Sequence, residues 1–207
     1  MMITDIIYLH GFLSSPQSEK AQVTKNYFSQ FYPDIKVHIP TLPGVPDNAI
    51  EVVEDLLLRL KKKRSTESTL KLDTPVSIGF IGSSMGGFLS TFFAERLGCK
   101  AVLINPAVTP FDLLQEYFGE HQNPYTSELF RVDEATVEML RKLNIEELKS
   151  QRNYLVLLQK GDETLDFRLA EQKYGREYCK TEEGGSHAFE GYEAHLDDIA
   201  SFLLAET

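Results

Sequence analysis

The sequence predicts an α/β fold, with a mostly parallel sheet of about six strands and helices on both faces. Three observations point there. Short apolar runs alternate along the chain with stretches whose apolar positions repeat at helical spacing, the pattern of βαβ units. A chain of 207 residues, 42% hydrophobic and 25% charged, suits one domain with a sizeable core. A glycine- and serine-rich turn, FIGSSMGG at 80–87, stands where one of the apolar runs gives way to a helical pattern.

Taken in order, Asp5–Leu9 (DIIYL) reads as a buried strand bounded by His10-Gly11. Ser15-Pro16 resembles an N-cap followed by proline at the first helical position, opening a helix that runs to about Phe31. Residues 36–39 form a second short strand, ended by PTLPG. Within 49–64, Val52, Val53, Leu56, Leu57 and Leu60 follow the 3.6-residue period. The basic run Lys61-Lys62-Lys63-Arg64 closes that stretch, where cations suit a helix C-terminus. Residues 76–81 give a third strand and Met85–Leu97 a helix. Two more strands follow at Ala101–Ile104 and 154–158, and a weaker one at 177–181. The tail, 190–204, is helical. Residues 107–150 break the rhythm with helical patterns (DLLQEYF, VEMLRKL) and no strand signal. The segment is expected to be a helical cap insertion within a single domain, 1–207.

Composition narrows the function classes. The formal net charge of −10 disfavours non-specific binding to nucleic acid or anionic membranes. No apolar stretch reaches the roughly 18–20 residues of a membrane span, so no stable membrane insertion is expected. The start, MMITDIIYLHGF, has neither a basic n-region nor a small-residue cleavage site and reads as mature sequence. Two cysteines, Cys99 and Cys179, make no disulfide framework, which favours a cytoplasmic setting. The sequence carries no signal for an oligomeric state.

Gly82-Ser83-Ser84-Met85-Gly86 fits G-x-S-x-G. Between a strand and a helix this motif holds its serine at a sharp turn above the C-terminal edge of the sheet, while Gly82 and Gly86 remove Cβ atoms that would clash. The Met85 amide then lies at a helix N-terminus, where an oxyanion is favoured. A serine hydroxyl needs a base, and His187, in the loop EEGGSHAFEGY before the last helix, is placed to be one. His38 falls in a strand and His195 on the final helix, where packing or surface roles suffice. The acid that orients the imidazole is sought in KGDETLDF, where Asp162, Glu163 and Asp166 are candidates. Each gives the chain order serine, acid, histidine. His10-Gly11-Phe12, after the first strand, offers the Phe12 amide as second oxyanion donor, with His10 shaping the loop by hydrogen bonds. No HExxH or paired CxxC pattern suggests a metal, and no P-loop or GxGxxG suggests a nucleotide, so no cofactor is expected.

These pieces together resemble a compact α/β-hydrolase. The stretches YLHGFLSSPQSEKA, GSSMGGF, INPA, LLQKGDETLDFR and EGGSHAF are similar, in that order, to the bacterial YqiA-type esterases. The resemblance implies a small-molecule carboxylic-ester or thioester hydrolase with Ser84, Asp162 and His187 as its triad. Asp166 stands before FRLAEQKY as a helix N-cap, which leaves Asp162 nearer the sheet edge. Other readings are a peptidase or lactone hydrolase of the same fold, or a non-catalytic binding protein. Phe111, Leu113, Leu114, Tyr117, Phe118 and Phe130 make the 107–150 segment apolar enough to cover an acyl pocket.

Overall fold

A computed structural model describes residues 3–67 and 77–205. Its elements run β1 (Asp5–Leu9), α1 (Glu19–Phe31), β2 (Lys36–His38), α2 (Pro46–Glu67), β3 (Ile78–Ser83), α3 (Met85–Leu97) and β4 (Ala101–Ile104). Then come α4 (Pro110–Leu113), β5 (Gly119–Gln122), β6 (Leu129–Val132) and α5 (Glu134–Leu143). The chain closes with β7 (Tyr154–Gln159), α6 (Phe167–Tyr174), β8 (Cys179–Glu182) and α7 (Leu196–Leu204). Six strands form one parallel sheet in the order β2-β1-β3-β4-β7-β8.

The apolar runs are strands buried on both faces. Ile6, Tyr8, Ile81, Val102, Ile104 and Leu157 point to one side, where α1 contributes Phe28 and α7 contributes Ile199 and Leu203. Ile7, Leu9, Phe80, Leu103, Val156 and Leu158 point to the other, beneath residues of α2, α3, α5 and α6. Each large side chain fully withdrawn from water contributes about 1.5–3 kcal/mol. That two-sided burial is why these runs are continuously apolar.

The strand order decides where a ligand can bind. The chain leaves β1 toward β2 on one side and returns to place β3 on the other side of β1. The loops after β1 and β3 therefore diverge, and the crevice at the C-terminal ends of such neighbours is the binding position of open α/β sheets.

Several boundaries differ from the sequence expectation. Helix α1 starts at Glu19: Ser15 instead makes a turn, its Oγ accepting the Gln17 N–H (3.1 Å) and its carbonyl the Ser18 N–H (3.1 Å). Helix α2 runs on to Glu67, so the basic run lies inside it. The third strand begins at Ile78 and includes Ser83, while Val76 lies outside the described residues. His195 ends a 3₁₀ turn (Tyr192–His195) that precedes α7, rather than lying on the helix itself. The 107–150 segment is not purely helical. Between α4 and α5 it holds an antiparallel hairpin, β5–β6, with Gly119 opposite Val132 and Gln122 opposite Leu129. On β6, Phe130 and Val132 face inward while Leu129 and Arg131 face solvent. That period-2 signal is only four residues long, too short to stand out beside its helical neighbours.

Candidate active site

Ser84 joins β3 to α3 with φ 55° and ψ −119°, a conformation that costs a non-glycine residue about 1–3 kcal/mol. The surroundings hold it there. Its N–H donates to the Ile104 carbonyl (3.0 Å), and its own carbonyl accepts the N–H groups of Gly87 (2.9 Å) and Ala107 (3.1 Å). The close approach requires glycine. A Cβ on Gly82 would collide with the Gly86 carbonyl, and one on Gly86 with the Leu9 and His10 carbonyls. Ser83, the other serine of the turn, is buried as the last residue of β3.

Three sequence-selected side chains converge at the C-terminal edge of the sheet. His187 Nε2 lies 3.0 Å from Ser84 Oγ. Its Nδ1 lies 2.8 Å from Asp162 Oδ2 and 3.0 Å from Oδ1. The Asp162 carboxylate also accepts the main-chain N–H groups of Thr164 and Leu165, both at 2.8 Å, and its side chain is only 3% exposed. Such a carboxylate fixes the imidazole with Nδ1 protonated and Nε2 free to face the serine. Asp166 is turned away. It caps α6, accepting the Arg168 N–H (3.0 Å) and Nε–H (2.8 Å), and the Arg168 guanidinium holds its carboxyl below the usual range.

The loop after β1 runs against the serine. A Cβ on Gly11 would sit 3.3 Å from that of Ser84. Phe12 and Met85 line a cavity of about 220 Å³ together with Ser84 and His187. His10 is 2% exposed and serves the loop itself. Its Nε2 accepts the Leu42 N–H (3.1 Å), so Nδ1 bears the proton and donates to the Gly11 carbonyl (3.0 Å). Burial pushes its pKa down, in keeping with that neutral form. The remaining histidines are engaged elsewhere: His38 with Asp5 (2.8 Å), His121 with the Tyr117 carbonyl (2.6 Å) and His195 with Glu182 (3.1 Å).

Sequence reading missed the residues that hold the His187 loop. Gln159, at the end of β7 and 3% exposed, accepts the N–H groups of Ser186 (3.2 Å) and Glu190 (2.8 Å) on Oε1. Its Nε2 donates to the Glu190 carbonyl (2.7 Å) and to Glu182 (3.1 Å). Asn105 donates to the Ser186 carbonyl (3.0 Å) and accepts the Gln159 N–H (3.0 Å). Glu163, considered only as an alternative acid, accepts the His187 N–H (3.0 Å), which holds its carboxyl below the usual range. The one signal for Asn105 was its place in INPA, directly after β4. Of the apolar residues noted in 107–150, Leu113, Leu114 and Tyr117 line the 220 Å³ cavity, whereas Phe118 is 53% exposed and lies off it.

Among the described residues, no group of three or more His, Cys, Asp and Glu side chains could hold a metal ion. Among them, too, no helix is long and apolar enough to cross a membrane.

A parallel six-stranded sheet flanked by helices, with a strained serine between β3 and α3, defines an α/β-hydrolase fold. The chain belongs to the UPF0227 family, described as an uncharacterised protein family, whose model matches residues 5–204. A UPF0227 protein from Shewanella oneidensis is 24% identical over 204 residues, covering 96% of this chain and 99% of its own. Est1E from Butyrivibrio proteoclasticus superposes with a TM-score of 0.62 at 13% identity, over 98% of this chain and 86% of that one. Alpha/beta hydrolase domain-containing protein 10 from mouse gives 0.61 at 17% identity, over 95% and 89%. The Pyrococcus furiosus esterase Pf2001 gives 0.58 at 14% identity, over 99% and 82%. These similarities show the fold.

Proposed function

We propose that this protein is a hydrolase, a serine esterase that cleaves carboxylic esters or acyl thioesters of small molecules through a Ser84–His187–Asp162 triad. The observation that carries the reading is the unbroken hydrogen-bonded chain from Ser84 Oγ through both ring nitrogens of His187 to the buried Asp162 carboxylate. Ser84 Oγ attacks the acyl carbonyl as its proton passes to His187 Nε2. The carbonyl oxygen becomes an oxyanion, received by the main-chain N–H groups of Met85 and Phe12. The tetrahedral intermediate collapses, the leaving group takes the proton from Nε2, and the acyl group stays on Oγ. His187 then activates water to release the acid and regenerate the serine. Residues 107–150 act as a cap that supplies apolar wall to the acyl cavity. The cytoplasmic reading rests on Cys99 and Cys179 being free thiols.

Labelling with an active-site phosphonate tests the proposal. Mass spectrometry is expected to find the adduct on Ser84, and Ser84→Ala to lose roughly three orders of magnitude or more in turnover while keeping its fold. Ser83→Ala retains activity. An adduct on Ser83, or equal turnover by Ser84→Ala and wild type, overturns the assignment. A folded protein with neither label nor turnover is the outcome for a non-catalytic binding protein.

A further inference from the structure

Two cavities meet at His187. The smaller, about 220 Å³, is lined by Ser84 and Met85 and by Pro110, Leu113, Leu114 and Leu165. The larger, about 690 Å³, is lined by His187 but not by Ser84. Tyr125 and the ionisable residues Glu19, Lys20, Glu163, Glu190 and Glu193 border it. Acyl transfer gives each cavity a role. The acyl group remains bonded to Ser84 Oγ, so it occupies the cavity that the serine lines. The leaving group receives its proton from His187 Nε2, so it departs past the imidazole into the wide cavity.

Resting on the serine-esterase reading above, we infer that the preferred substrates join a compact apolar acyl group to a large uncharged alcohol rich in hydroxyls, such as a sugar or polyol. Acyl thioesters whose leaving group carries several phosphates are poor substrates. The acyl limit follows from volume. At about 30 Å³ for each water-sized group, the smaller cavity holds on the order of seven non-hydrogen atoms beyond the carbonyl. Leu114, 4% exposed, lines it and also borders a second cavity of about 30 Å³ among Leu42, Leu89 and Leu140. The leaving-group preference follows from charge. Among the described residues that line the wide cavity, the one ammonium, that of Lys20, is bonded to the Ala188 carbonyl, while four glutamates border the same space. Carboxylates accept hydrogen bonds from hydroxyls and repel phosphates, and the chain's net charge of −10 adds to the repulsion.

Three substrate series on the purified full chain test this. In p-nitrophenyl esters from acetyl to palmitoyl, kcat/KM is expected to rise by up to about fourfold per methylene, the value for full burial. The rise should end near octanoyl. Leu114→Ala joins the two apolar cavities and moves that end point to longer chains. Should Leu114→Ala fail to fold, Leu165→Phe moves the end point to shorter ones. A glucose butanoate is expected to exceed ethyl butanoate by tenfold or more. Butanoyl-coenzyme A is expected to fall tenfold or more below butanoyl-N-acetylcysteamine, the same thioester without phosphates, with the gap narrowing as salt is added. A rise continuing to palmitoyl, equal rates for the two butanoates, or parity of the two thioesters, each with Ser84 still labelled by phosphonate, overturns this inference and leaves the esterase reading standing. No turnover of any ester and no label on Ser84 overturns both.

Discussion

Asp162 and Asp166 stand in one loop yet face different donors. Asp162 accepts two main-chain N–H groups and presents both oxygens to His187 Nδ1. Asp166 spends its Oδ1 on the first turn of α6 and on Arg168. Asp162→Asn keeps an oxygen for the Thr164 and Leu165 amides, so the loop should stay folded. The amide cannot support an imidazolium and favours the wrong tautomer, so turnover is expected to fall about 10³–10⁴-fold. Asp166→Asn should keep turnover, because asparagine is an equally good cap. Steady-state rates with thermal melts on both variants check this, and the reverse pattern reassigns the acid. The cap was legible in sequence, since an acid directly before FRLAEQKY has a local partner. The function of Glu163 was not, because its partner, the His187 N–H, is 24 residues away.

At the scale of elements, the strand-to-helix units were readable and their supports were not. The β3–α3 elbow announces itself because all its constraints are local: glycines flank the serine, and a helix follows at once. The β5–β6 hairpin does not, because four-residue strands leave no room for a period to show. Its anchor is a side chain, Asn123, whose Oδ1 accepts the Tyr125 N–H (2.9 Å) and Thr126 N–H (3.1 Å) while Nδ2 reaches the Ser14 carbonyl (3.0 Å). The His187 loop is likewise held by the buried amides of Gln159 and Asn105, from strand ends distant in sequence. Gln159→Met keeps the size of the side chain and removes its hydrogen bonds, leaving the Ser186 and Glu190 N–H groups without their acceptor. Ser186 is half-buried and Glu190 exposed, so water replaces part of what is lost and the cost falls at or below the low end of the roughly 1–3 kcal/mol of a fully buried group. A melting temperature lowered by several degrees and a lowered kcat are expected together, because the loop that loses its ties carries His187, the proposed base. An unchanged kcat with full stability would show that Glu163 and Asn105 suffice.

Across the whole molecule, the parallel order β2-β1-β3-β4-β7-β8 brings the loops after β1, β3, β7 and β8 to one edge, which is how His10–Phe12, Ser84, Asp162 and His187 meet. The opposite requirement, that buried charges be offset, is met less fully on the helical layer beside β7. Glu95 of α3 accepts the Tyr154 hydroxyl (2.6 Å) and the Lys149 N–H (3.1 Å). Lys173 of α6 reaches the Asn144 side chain at 3.5 Å and lies over the Tyr174 ring, and burial pushes its pKa down to about 8. The unfolded chain holds that proton up to the ordinary value of 10.5, so between pH 8 and 10.5 the unfolded state binds more protons than the native one. Stability contributed at this site therefore rises with pH through that window. Below pH 8 the native state carries an ammonium that it solvates poorly. Lys173→Met removes that cost while keeping the aliphatic stem. The variant is expected to be more stable than wild type at pH 7 by about 1 kcal/mol, or about 2–4 °C in melting temperature for a chain of this size. The advantage should shrink steadily from pH 8 to pH 10 as the wild-type amine loses its proton. Paired melts across pH 7–10 decide it: a constant advantage would show that Lys173 does not lose its proton in that window, and a variant less stable than wild type at pH 7 would show that Lys173 contributes more through its contacts with Asn144 and the Tyr174 ring than its burial costs.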